Sequence, residues 1–180
     1  MNTTNTISNT PTSGSLFARL RALVPQRPLS FGEALRITEL QANRCRELLG
    51  FRGPAFPEGA IADLPRVRLI EVDNLPSSAV SQWHNGCWTI AVDAAEPWQR
   101  QRVSAGHELW HIINHTTGQW LHAADQRRAE QLADYFSGCL YMPKQHLKRL
   151  VGEGLTTPRL AETVKVIQKY RQILTLMPLL

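Results

Sequence analysis

The spacing of apolar side chains changes several times along the chain, and each change predicts an element. Between residues 31 and 49, Ala34, Ile37, Cys45, Leu48 and Leu49 fall on one broad face of a helix. Ser30 and Glu33 have capping-box spacing at its start, and Gly50 ends it. "FRGPAFPEGAIADLP" then reads as a connector with one helical turn. "RVRLIEV" (66–72) alternates polar and apolar positions and predicts a strand. "AVSQWHNGCWTIAVD" holds two more strand-like runs around Asn85-Gly86, the dipeptide favoured in two-residue hairpins. These three runs predict an antiparallel meander, with Trp83, Trp88 and Trp98 packing it against the next helix.

Asp93, Glu96 and Pro97 signal the start of that helix, which is expected to run to Gly118. A second long helix is expected over about 125–141, stopping before Pro143, and a short one over "PKQHLKRLVG". A last amphipathic helix starts from Thr157-Pro158, with Leu160, Val164, Ile167 and Leu174 at helical spacing. The predicted class is α+β, a small antiparallel sheet packed on a mainly helical domain.

The chain of 180 residues suits one compact domain plus a tail, and its 43% apolar content supports a core. Residues 1–14 are Thr, Asn, Ser, Gly and Pro with almost no core-forming side chains, a composition that predicts disorder. "SLFARLRALVP" adds one or two helical turns before Pro25 and Pro28. The expected division is therefore a tail over 1–28 and a domain over 29–180. No apolar run approaches the roughly 18–20 residues that cross a bilayer, and the first residues lack a secretory signal pattern. A cytoplasmic, non-membrane protein is the expectation. Cys45, Cys87 and Cys139 are odd in number, widely spaced and form no CxxC pair, which argues against a disulfide scaffold and against a thiolate zinc ribbon. Net charge is +5 with a pI near 9.5, but the basic residues are scattered, which argues against direct nucleic-acid binding.

The candidate chemistry lies in "SAGHELWHIINH" (104–115). On a helix advancing about 100° per residue, His107 and His111 lie about 40° apart and one turn along, so both imidazoles reach one ion. Glu108 projects to the side of that pair, where a carboxylate can take a proton from water without ligating. His115 is displaced by about 12 Å along the axis from His107, which leaves it outside the ligand set as a substrate or supporting group. The HExxHxxGxxH arrangement fails, since Asn114 and Thr117 stand at its glycine and third histidine. Glu130, nineteen residues past His111, sits on a helix that the turn "TTGQWLHAADQ" can fold back. Asp134 shares its face and can accept the free ring N–H of one ligating histidine. Two histidines, one glutamate and a supporting aspartate are the composition of a catalytic Zn2+ site with an open position. Tyr135, Tyr141 and His115 are candidate hydrogen-bond donors to an oxyanion, and the sequence does not rank them. His84 and His122 read as ordinary exposed residues.

"VSAGHELWHIINH" followed by "AEQLADYFSGCLYMP" resembles the ImmA/IrrE family of zinc metallopeptidases, which carry a HELGH-like helix and then an E-x-x-A-N-x-F-A-x-x-L-L-M-P helix. The resemblance covers roughly residues 30–145. It implies that His107, His111 and Glu130 are zinc ligands and that Glu108 is the catalytic base. It also implies a protein substrate, a helix-turn-helix DNA-binding repressor whose cleavage would derepress phage, mobile-element or stress genes. Trp110 stands where the family usually has glycine, Asp134 where it has asparagine and Tyr141 where leucine is common. An indole at 110 either fills core space or narrows access to the metal. The alternative reading is a zinc-fold module that sequesters a repressor without cutting it; an intact Glu108 argues against that.

Overall fold

The computed structural model describes residues 13–52, 56–123 and 125–146. Among them are five α-helices: α1 (Ser13–Arg21), α2 (Phe31–Leu48), α3 (Trp98–Asn114), α4 (Gly118–Leu121) and α5 (Gln126–Tyr141). A 3-10 turn, Glu58–Ala60, supplies the helical turn expected in the connector. The strands are β1 (Val67–Val72), β2 (Ala79–His84) and β3 (Cys87–Asp93). The protein is α+β, as the pattern predicts. The expected helix from Thr157-Pro158 and most of the one over 143–152 lie outside the described residues. Among the described residues no helix is long and apolar enough to cross a membrane.

Helix α2 begins where its cap chemistry dictates. The Ser30 hydroxyl accepts from the Glu33 amide, and the Glu33 carboxylate accepts from the Ser30 amide. Its buried face is more polar than expected: Ala34, Ala42 and Cys45 share it with Thr38, Gln41 and Arg46. The Asn85-Gly86 turn has positive φ at both residues, 49° and 77°, the signature of the tight hairpin turn joining β2 to β3.

The sheet departs from a meander. Its order is β1-β3-β2, with β3 antiparallel to β2 but parallel to β1. Burial explains the order. Ile90, Ala91 and Val92 of β3 are buried, whereas Val80 and Trp83 of β2 are about half exposed. The most apolar strand takes the centre, and the polar one is left at an edge. Trp83 and Trp98 also depart from expectation, at 50% and 54% exposed; Trp88 alone of the three packs against the core.

The core gathers around α3, which touches β2, β3, α5 and α1. Leu16, Phe17 and Leu20 of α1 belong to the same buried cluster, so the packed body reaches further toward the N-terminus than residue 29. Helix α3 stops at Asn114 rather than Gly118 because other groups take its last carbonyls. Arg21 donates from Nε to the Ile113 carbonyl at 2.6 Å and from Nη2 to that of Ile112 at 3.0 Å. Asn114 exchanges hydrogen bonds with Gln41 at 2.8 and 3.2 Å, and its side chain also donates to the Trp110 carbonyl.

The Arg27 hydrogen bond, together with the Ser30 amide and hydroxyl, holds the Glu33 carboxyl at about 2 instead of 4.5. A depressed carboxyl pKa stabilises the fold above its unfolded value and ceases to do so as pH falls through the folded value. Glu33→Gln is therefore expected to flatten the pH dependence of stability between pH 4.5 and about 2. Urea melts at several pH values check this; an unchanged slope in the variant would remove the cap from the account of acid unfolding.

Candidate metal centre

Two antiparallel helices bring the sequence-predicted residues together, and a glycine sets how closely they approach. A Cβ on Gly106 would lie 2.7 Å from Ser137 Oγ and 2.9 Å from Tyr141 Cε2, so α5 rests almost on the α3 backbone. Ser137 and Tyr141 use that closeness, donating to the Val103 and Arg102 carbonyls, each at 2.8 Å. Glu130, Asp134, Ser137 and Tyr141 recur at three- or four-residue intervals, one stripe of α5 facing α3. The next α3 residue after Gly106 is His107, which the stripe's two carboxylates meet.

His107 Nε2 lies 3.1 Å from Glu130 Oε2 and 3.1 Å from His111 Nε2, and His111 Nε2 lies 3.7 Å from Glu130 Oε1. Donor atoms that share a tetrahedral ion at about 2.0–2.1 Å are separated by about 3.3 Å, close to these separations, with a different Glu130 oxygen nearest each histidine. His107, His111 and Glu130 form the group among the described residues whose donors all lie within 4.8 Å of one another. The side chains are partly open to solvent, 18% exposed at His107 and 47% at Glu130, so a small molecule has access.

The surrounding contacts orient this group. His107 Nδ1 lies 2.9 Å from Asp134 Oδ1, which directs Nε2 toward Glu130 and His111. Gln126 donates to the second oxygen of Glu130. Burial alone would lower the His107 pKa, but hydrogen bonds with Asp134 and Glu130 outweigh it and push it up to about 9. The His111 pKa is lowered by burial and then by the charge on His107. Hydrogen bonding with His107 holds the Glu130 carboxyl below its ordinary value.

Glu108 points away from α5 toward the sheet, where its Oε2 accepts a 2.6 Å hydrogen bond from the Ser81 hydroxyl of β2. Sequence reasoning missed Ser81 and Gln126. The available signal, a serine in the inward phase of the strand before the histidine helix, was too weak to single it out.

The remaining candidates lie elsewhere. Tyr141 spends its hydroxyl on the Arg102 carbonyl, and Tyr135 donates to Glu39 at 3.1 Å. His115 is exposed with its ring edge-on to Trp88 at 5.6 Å, and His84 is exposed at the end of β2. None of these joins the cluster. His122 is half-buried, 6.4 Å from the Trp110 ring, and burial lowers its pKa. A cavity of about 730 Å³ between β1 and the first half of α3, lined by Ile61, Leu69, Ile70, Trp98 and Tyr141 among others, contains none of the donors.

Trp110 is 1% exposed and meets the His111 ring edge-on at 5.2 Å. Its burial against that ring favours packing over gating.

The site is thus a donor set on a helix pair that could hold a metal ion, flanked by the Glu108 carboxylate. The model of the M78 peptidase family, described as the IrrE N-terminal-like domain, matches residues 66–169, more than half of the chain. The chain belongs to that family. No curated protein matches it. A solved Mycobacterium tuberculosis transcriptional regulator is similar at 18% identity and a TM-score of 0.47, over 77% of this chain and 44% of that one. The chain therefore spans less than half the length of that regulator.

Two substitutions probe this packing. Gly106→Ala collides with the Ser137 and Tyr141 side chains and is expected to cost about 1–3 kcal/mol, as overpacking does, while weakening metal uptake. Melting and a competitive chelator titration read both; unchanged metal affinity would mean that the close approach does not set the donor geometry. Trp110→Ala leaves a cavity and is expected to cost about 3–5 kcal/mol. A variant as stable as the parent would show that the indole is not a packing element.

Proposed function

We propose that this protein is a zinc-dependent endopeptidase acting in the cytoplasm on a helix-turn-helix transcriptional repressor. The observation that carries the reading is the convergence of His107, His111 and Glu130 beside a carboxylate that stays out of the cluster. Family membership supports a peptidase. Two imidazoles and one carboxylate suit Zn2+, which favours mixed N and O donors and keeps a fourth position open in catalytic sites. The chemistry such an ion supplies is Lewis acidity, polarising a peptide carbonyl and activating water near neutral pH.

In this reading the chain's own residues divide the work. His107, His111 and Glu130 hold the ion, and Asp134 fixes the tautomer of His107 through Nδ1. Glu108 takes the water proton and delivers it to the leaving amine. A module that only sequestered its target would have no use for Glu108. The repressor as substrate rests on resemblance to the ImmA/IrrE family.

Elemental analysis is expected to find one zinc per chain. Glu130→Ala is expected to weaken zinc binding and Asp134→Ala to lower affinity about 10–100-fold, whereas Glu108→Gln keeps zinc and loses cleavage. The cleavage assay is incubation with the repressor encoded nearest the gene, with and without zinc. Equal metal loss in Glu130→Ala and Glu108→Gln would show the roles to be misassigned. Less than a tenth of an equivalent after reconstitution would sink the metal reading.

A further inference from the structure

Glu108 has one protein partner that owes nothing to the donor set. Ser81 lies on β2, paired with Ile90 of β3, and among the described residues nothing pairs with the outer edge of β2. Its neighbour Val80 is 47% exposed, yet Ser81 faces inward and donates to Glu108 Oε2 at 2.6 Å. We infer that Ser81 is a positioning residue: its hydroxyl fixes the Glu108 carboxylate through Oε2 and leaves Oε1 as the oxygen that receives the proton. This rests on the role proposed for Glu108 above.

The physical case has three parts. A glutamate side chain has three rotatable bonds, and Glu108 is only partly buried, so α3 alone does not fix its carboxylate. His107 and His111 stand within one turn on the same helix, and an untethered carboxylate could turn toward a bound cation and become a ligand instead of a base. A hydroxyl donating to a charged carboxylate makes a short, strong bond, and 2.6 Å lies in that range. The serine comes from a strand and the base from a helix, so the orientation of the carboxylate depends on the docking of the hairpin against α3.

The experiment uses the full chain loaded with Co2+, whose visible absorption reports the ligand sphere, and acetohydroxamate as the probe. A hydroxamate binds a metal ion through two oxygens and gives up its hydroxyl proton to a neighbouring base, so its affinity reads the placement of that base. Ser81→Ala is expected to bind acetohydroxamate about tenfold more weakly, the loss of one hydrogen bond to a charged group. Cobalt content, the spectrum before addition and the melting temperature should stay at parental values. Ser81→Thr keeps the hydroxyl, suits a strand, and should bind within about threefold of the parent. The double variant Ser81→Ala with Glu108→Gln should be no weaker than Glu108→Gln alone, because Ser81 acts only through that carboxylate.

Parental affinity in Ser81→Ala would overturn the inference. So would a loss that Ser81→Thr shares, or additive losses in the double variant, since both would mark a packing role. Glu108→Gln separates this failure from failure of the function itself. If that variant binds the hydroxamate as tightly as the parent, the base assignment falls and takes the inference with it. A weakened Glu108→Gln beside a parental Ser81→Ala would sink the positioning role alone.

Discussion

The approach of α5 to α3 at Gly106 is the constraint on which the site depends. Neither helix carries a complete donor set: His107 and His111 belong to one, and Glu130, with its supporting Asp134, to the other. Any side chain at position 106 would collide with the Ser137 and Tyr141 side chains, which must then shift. The two helices are also stitched by side chains from α5 donating to main-chain carbonyls of α3, bonds that exist only at this separation. A separation set by the α3 backbone against a short serine and a hydrogen-bonded tyrosine ring is stiffer than one fixed by two long flexible side chains. That stiffness suits donors that must meet to within a few tenths of an ångström.

The C-terminal ends of the same two helices are finished by arginines from elsewhere in the chain. Arg21 of α1 serves the carbonyls of Ile112 and Ile113, and Arg46 of α2 donates to that of Leu140 on α5. A guanidinium at a helix C-terminus satisfies otherwise unpaired carbonyls and complements the partial negative charge there. Burial lowers the pKa of both arginines, a cost offset by these bonds and, for Arg46, by the Phe56 ring 5.8 Å away. The helices before the sheet are therefore braces for the helices after it. This accounts for α1 being packed into the core although its sequence reads as the edge of a tail.

What the sequence made legible is local. The Ser30–Glu33 cap, the Asn85-Gly86 hairpin and the start of α5 at Asp125 each depend on residues within a few positions of one another. The convergence of Glu130 on the histidines was legible too, because helix period and a short connection leave few ways to arrange two apolar-faced helices. The sheet order was not, since it depends on which strand is buried on both sides rather than on any one strand's alternation. The end of α3 was hidden for a similar reason, as Arg21 acts across 92 residues. Tyr141 looked available as a donor because its hydroxyl's partner, the Arg102 carbonyl, is invisible to any pattern of side chains.

The electrostatics of the cluster show how one arrangement can serve both a proton and an ion. Three acidic or imidazole groups surround His107: Asp134 on Nδ1, Glu130 and His111 on Nε2. Hydrogen bonds with the two carboxylates raise its pKa to about 9 against the opposing effect of burial. Burial, and then the charge on His107, lowers the pKa of His111, and hydrogen bonding with His107 lowers that of Glu130. The carboxylates that favour a proton on the ring would also favour a divalent cation, whose uptake releases protons from its ligands. The helix pair already holds the donors 3.1–3.7 Å apart, so they need little rearrangement to accept an ion.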